Sequence, residues 1–94
     1  MKLSEIVNDL FTIDQDLFIC MKRPWTSDAD SIIVYPDEAL MVPQKVRDMG
    51  YDYFLEVSVA REVLEVLKNK NASPEDKTKL LLYYALNDAY PDSI

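Results

Sequence analysis

Near the start of the chain Leu3, Ile6, Val7, Leu10 and Phe11 fall at i, i+3, i+4, i+7 and i+8. That spacing predicts a helix with one apolar stripe, its other side held by Lys2, Glu5, Asn8 and Asp9. The helix is expected to end before Thr12 or Ile13. Leu17-Phe18-Ile19-Cys20-Met21 is a short apolar run between Asp16 and Lys22-Arg23-Pro24, too short for a helix and read as a buried strand. Ser31-Ile32-Ile33-Val34-Tyr35 is β-branched and stops at Pro36, which predicts a second strand. The polar stretch 23–30 joins them as antiparallel neighbours.

Further on, Ala39-Leu40-Met41-Val42 reads either as a short strand or as a loop tucked onto the core. Pro43 suits the first position of a helix over 43–49, where its missing N–H costs nothing. Gly50, the only glycine, stands where helices end in a left-handed conformation. Tyr51, Tyr53, Leu55 and Val57 then alternate with Asp52, Phe54 and Glu56, which predicts a strand with one apolar and one mixed face. Ser58 is expected to cap a helix that buries Ala60, Val63, Leu64 and Leu67 and turns Arg61, Glu62, Glu65 and Lys68 to water. Ser73-Pro74-Glu75-Asp76 is a strong start for a last helix running to about Asp88. Its run 80–86 is apolar around most of the helix, so it is buried on several sides or offers a patch to a partner.

The order α-β-β-α-β-α-α predicts an α+β fold: a small, mostly antiparallel sheet of three or four strands packed against helices. The length of 94 residues fits a single domain over 1–94.

Charge narrows the function. There are 17 acidic and 10 basic residues, net −7, and residues 1–38 hold eight of the acids against three bases. Such a surface repels phosphate backbones, so direct nucleic-acid binding is not expected, whereas a basic protein partner is attracted. The charge is also what solubility alone requires. A single cysteine, Cys20, excludes an internal disulfide, and with no signal-peptide pattern and no long apolar run the expected setting is cytoplasmic, away from membranes.

The chemical inventory is short. With no histidine there is no serine–histidine or cysteine–histidine pair, and one glycine admits neither a P-loop nor a dinucleotide fingerprint. One cysteine excludes thiolate zinc sites and iron–sulfur clusters, and no cofactor is expected. What remains are the pairs Asp14/Asp16 and Asp28/Asp30. On extended backbone residues i and i+2 share a side, so each pair presents two carboxylates, to solvent, to a basic partner or to a divalent metal. Trp25, in the polar connection, is either a core plug or an exposed anchor, and Tyr35, Asp37 and Glu38 close the second strand on what reads as the same rim.

Gly50-Tyr51-Asp52-Tyr53-Phe54-Leu55-Glu56-Val57, Val59-Ala60-Arg61-Glu62-Val63-Leu64 and Leu82-Tyr83-Tyr84-Ala85-Leu86-Asn87-Asp88-Ala89-Tyr90 resemble a group of small bacterial proteins of unassigned function. Some of that group look like immunity proteins of contact-dependent growth inhibition systems. The resemblance covers roughly residues 43–90 and includes no catalytic motif. It implies a cytoplasmic protein that binds one cognate toxin domain, often a nuclease with a basic cleft, and blocks its active site.

Charge, missing catalytic groups and resemblance together predict an immunity protein rather than an enzyme. Its expected partner-binding residues are Asp14, Asp16, Trp25, Asp28, Asp30, Tyr35, Asp37 and Glu38. Two alternatives stand beside it: a non-catalytic structural or regulatory subunit that homodimerises through helix 74–89, and a metal-dependent enzyme using the aspartate pairs.

Overall fold

The computed structural model describes residues 1–92; the last two residues of the domain expected over 1–94 lie outside the described residues. In chain order the elements are α1 (Leu3–Asp9), β1 (Phe18–Lys22), β2 (Ser31–Val34), α2 (Gln44–Asp48), β3 (Tyr51–Glu56), α3 (Val57–Leu64) and α4 (Pro74–Asn87), with 3-10 turns at Leu10–Thr12 and Glu65–Leu67. The three strands form an antiparallel sheet in the order β2-β1-β3, so the fold is α+β.

Alternation along β1 separates two cores. Ile19 and Met21 point to one face, where Leu3, Ile6, Leu10, Val57, Ala60, Val63 and Leu81 pack beside them with almost no exposure. This main core is the product of the apolar stripes of α1, α3 and α4. Phe18 and Cys20 point to the other face, where Tyr51, Val42 and the half-buried Ile32, Val34 and Val46 pack beside them. The buried hydroxyls of Ser31 and Thr78 donate to Ala29 O and Pro74 O at 3.3 and 2.8 Å, so neither is orphaned.

The structure departs from the sequence pattern at several points. Phe11 is 59% exposed although it continues the α1 stripe. The chain tightens into a 3-10 turn at Leu10, and three residues per turn instead of 3.6 swing Phe11 off the buried face. In β3 the two-residue alternation breaks. Ile19 pairs with Leu55 but Cys20 pairs with Tyr53, so Phe54 is the extra residue of a bulge. Phe54 and Leu55 therefore both enter the main core, while Tyr51 and Tyr53 stay on the opposite face.

Helix α3 begins at Val57 with Glu56, not Ser58, at its N-cap. β3 runs straight into it, and the amides of Val57 and Ser58 donate to Leu17 O and Gln15 O at 2.9 and 3.1 Å. Those carbonyls satisfy two of the free N–H groups of the first turn, in the place of a side-chain cap. Pro43 likewise stands one position earlier than expected, at the N-cap of α2. Gly50 does adopt the left-handed conformation, with φ of +93°. The α4 start is as expected: Ser73 Oγ accepts the Asp76 amide and the Asp76 carboxylate accepts the Ser73 amide.

Candidate functional site

Phe18 organises the thinly covered side of the sheet. Its cross-strand neighbours are Val34 on β2 and Glu56 on β3. Asp16 precedes it by two residues, and beyond Val34 the chain leaves the sheet through Tyr35, Pro36, Asp37 and Glu38. At this end of the sheet the chain enters β1 after Asp14 and Asp16, leaves β2 toward Tyr35, Asp37 and Glu38, and closes β3 at Glu56. Tyr35 is 71% exposed there.

From this end the chain turns back over the sheet as the segment 37–42. The Asp37 carboxylate accepts the amides of Ala39 and Met41, and the Asp37 amide donates to Met41 O at 2.8 Å. This is an aspartate-organised turn, in which the side chain stands in for backbone acceptors. It closes through Leu40, whose φ is +60°. A left-handed leucine is unfavourable by about 1 kcal/mol, and the Asp37 bonds hold it there. The turn drops Val42 into the minor core and leaves Leu40 75% and Met41 53% exposed.

Between this turn and β3 lies a groove of about 330 Å³. Phe18, Leu40, Met41, Val42 and Tyr53 line it with apolar surface, and Arg47 and Glu56 are its charged walls. Tyr53 stands edge-on to Phe18 with ring centroids 5.4 Å apart. Burial against this face, and then the Glu56 carboxylate, hold the Tyr53 phenol above its usual pKa.

The residues singled out from the sequence do not form one site. Asp14, Asp16, Tyr35, Asp37 and Glu38 stand at the Phe18 end. Trp25, Asp28 and Asp30 stand at the other end of the β1–β2 hairpin, roughly 13 Å away along five residues of strand. The shared rim expected for Trp25, Asp28 and Asp30 with Tyr35, Asp37 and Glu38 is corrected on that ground: an antiparallel hairpin puts the approach to β1 and the exit from β2 together, and the connecting loop opposite. At the loop end the Asp28 carboxylate pairs with Lys2 at 3.2 Å and Asp30 bridges to Lys2 through the backbone. Trp25 packs edge-on to Phe54 at 5.1 Å, donates its indole N–H to Met21 O at 3.3 Å and carries the Arg23 guanidinium over its ring at 3.6 Å. Its ring closes one edge of the main core. In the other aspartate pair, Asp14 Oδ1 accepts the Asp16 amide at 2.9 Å.

Sequence reasoning missed Leu40, Met41, Arg47, Tyr53 and Glu56. The available signal was local: a four-residue apolar run too short for an element, behind an aspartate able to bond two and four residues ahead. Among the described residues no group of three or more His, Cys, Asp or Glu side chains is placed to hold a metal ion, and no helix is long and apolar enough to cross a membrane.

Fold and groove define a small α+β domain with α1, α3 and α4 packed on one sheet face and, on the other, an apolar groove walled by Arg47 and Glu56. The chain belongs to the family described as a domain of unknown function, DUF7716, whose sequence profile matches residues 1–92. No curated protein and no solved structure matches the chain.

Proposed function

We propose that this protein acts by binding another protein, as an immunity protein that neutralises a toxin domain, in a nuclease by covering its basic cleft. The observation that carries this reading is the exposure of Tyr35, Leu40, Met41 and Tyr53 at 71, 75, 53 and 44% beside the carboxylates of the Phe18 end. Exposed apolar anchors supply a protein interface with affinity, and carboxylates nearby speed encounter with a basic partner. Asp14, Asp16, Asp37, Glu38 and Glu56 would meet the cations of a cleft that otherwise holds substrate phosphates.

The test is genetic and then biochemical. The gene next to this one is expected to encode an exported protein whose C-terminal domain stops growth when expressed alone and is harmless when this chain is co-expressed. A neighbour of another kind, or growth arrest that co-expression does not relieve, overturns the reading.

A second reading has its own support. Tyr83 and Leu86 on α4 are 41 and 56% exposed, which favours a homodimer through that helix. Sedimentation decides it, because a monomer at all concentrations removes the dimer.

A further inference from the structure

We infer that a second cavity, between Trp25, the free edge of β3 and the last turn of α4, binds an alkylguanidinium group. Its volume of about 360 Å³ is at the low end for ligand sites and suits a small ligand or one side chain. Among the described residues Tyr53 alone lines both this cavity and the groove beside the 37–42 turn, and the cavity stands whatever that groove does.

Three independent sources of negative potential meet there. First, Asp88 is the charged side chain on the lining, which holds no lysine or arginine among the described residues. Asp88 pairs with no cation among them either. Secondly, Tyr84 and Ala85 belong to the last turn of α4, and Asp88 is its C-cap. The fourteen aligned residues of α4 turn the negative end of their dipole, with carbonyls that lack helical N–H partners, toward the cavity. A lysine or arginine commonly answers that end of a helix, but the turn Tyr84-Ala85-Leu86-Asn87 has none. Thirdly, Trp25 and Tyr84 are half-buried rings, and ring faces attract cations. Trp25 already holds one guanidinium, that of Arg23 at 3.6 Å. Arg23 is not among the lining residues and has Asp52 as its counter-ion at 3.3 Å, so Asp88 and the helix end are left for another cation.

The rest of the lining selects which cation. Phe54, Leu55 and Val59 are apolar, so a strongly hydrated ammonium would lose water there with little return. A quaternary ammonium has no N–H to give to Asp88 or to the helix carbonyls. A guanidinium is weakly hydrated, stacks on rings and donates in a planar fork. Both rings are held before any ligand arrives, Trp25 edge-on to Phe54 at 5.1 Å with its N–H on Met21 O, and Tyr84 beside Tyr90 at 5.3 Å.

The experiment follows the fluorescence of Trp25, the one tryptophan, and its indole N–H resonance in the full chain at about 0.15 M salt. Butylguanidinium is expected to change both with a Kd of about 1 mM, as befits so small a ligand. Butylurea, its neutral counterpart, should bind at least about tenfold more weakly, and butylammonium and tetramethylammonium at least about threefold. Asp88→Asn is expected to weaken butylguanidinium at least about fivefold with little change in melting temperature, because asparagine keeps the left-handed cap at φ +52°. Butylurea bound as tightly as butylguanidinium, or full affinity in a folded Asp88→Asn, overturns the inference. The ligand comparison on the natural chain decides it if that variant does not fold. Amide shifts at Arg23 and Asp52 without shifts at Tyr84 and Asp88 would mean that the ligand replaces Arg23 on the indole, and overturn it as well. The tripeptide Ac-Gly-Arg-Gly-NH2 tells the source of the group. Binding at least about threefold tighter than butylguanidinium assigns it to an arginine of a protein partner, and equal or weaker binding to a free alkylguanidine; both keep the site. No response to either ligand at about 10 mM removes it.

Discussion

The Asp37 carboxylate accepts the backbone N–H of Met41 at 3.0 Å, and the same oxygen accepts that of Ala39 at 2.9 Å. These two bonds shape the turn that carries Leu40. Asp37→Ala leaves both amides to water, so the expected loss of global stability is small, about 1 kcal/mol. The local effect is larger: the Met41 amide should exchange with solvent far faster than in the natural chain, and partner affinity should fall with it. Denaturant titration and amide exchange measure the two effects. Unchanged protection of Met41 would show that the turn holds without the carboxylate.

Leu40→Gly separates binding from folding. Leucine at φ +60° carries unfavourable backbone energy and has 75% of its surface in water. Glycine adopts that conformation freely but costs more entropy on ordering. The two terms oppose, so stability should change by less than about 1 kcal/mol in either direction. Partner binding should nevertheless drop. A melting temperature lowered by many degrees would mean that Leu40 packs in a way its exposure does not show.

Much of the fold is legible in the pattern of apolar positions, because burial of α1, α3 and α4 against β1 is a one-sided problem and one-sided stripes announce themselves. Ile19 and Met21, Ala60 and Val63, and the Ser73-Asp76 start of α4 are all read from local spacing. The exceptions share a cause. Phe11 and Ser58 sit where one element passes directly into another, through a 3-10 turn and a strand-to-helix junction, and Phe54 sits at a bulge within β3. There the period itself changes, and a count of i, i+3 or i+2 carries past the change. The candidate site was half legible. The acids and Tyr35 are visible as composition, but their division between two ends of a hairpin follows from the pairing of Phe18 with Val34. Leu40 and Tyr53 as exposed apolar residues contradict the prior that such residues are inside.

That division yields a charge test. Asp14 and Asp16 stand at the groove end, whereas Asp28 pairs with Lys2 at the opposite end. Reversal of the first pair to lysine should weaken a toxin complex by at least about tenfold, mostly at low salt. Reversal of Asp28 and Asp30 should change affinity by about twofold or less, since both lie beyond a screening length of about 8 Å. Calorimetry or surface binding at two salt concentrations distinguishes the pairs. Equal losses from both would place the interface across the whole sheet edge.

Arg61 was expected to face water, but its guanidinium donates to Leu10 O at 3.2 Å and to Ile13 O. It thereby ties the 3-10 turn after α1 to α3, adding a charged donor to Leu10 O, which also accepts the Ile13 amide, and to Ile13 O. Its carbon also lies 5.7 Å from the Phe11 ring centre. Arg61→Ala should cost about 2 kcal/mol, near 10 °C in melting temperature for a domain of this size. Arg61→Lys should recover less than half of that, because one ammonium cannot reproduce a planar fork on two carbonyls. Full recovery by lysine would mean that charge near the turn, and not the forked contact, supplies the stability.

Cys20 lies fully buried on the minor-core face of β1, and its thiol pKa is raised from 9.0 to about 11, first by burial and then by the Asp52 carboxylate. The folded state thus keeps the proton over a range in which the unfolded chain has lost it. Between pH 9 and 11 the native state binds more protons than the unfolded state, so stability falls as pH rises through this window. Below 9 the thiol contributes no pH dependence, and above about 11 both states are ionised and the decline ends. Tyrosines and lysines also titrate there, so the quantity to measure is the difference between the natural chain and Cys20→Ala in urea titrations at successive pH values. That difference should shrink as pH rises from 9 to 11, because the alanine variant lacks the thiol's share of the decline. The same burial makes the native thiol slow toward a disulfide reagent near neutral pH, with labelling that tracks unfolding in urea. Rapid labelling of the folded protein, or a difference that stays flat across the window, would contradict a neutral thiol enclosed between Phe18, Val42 and Tyr51.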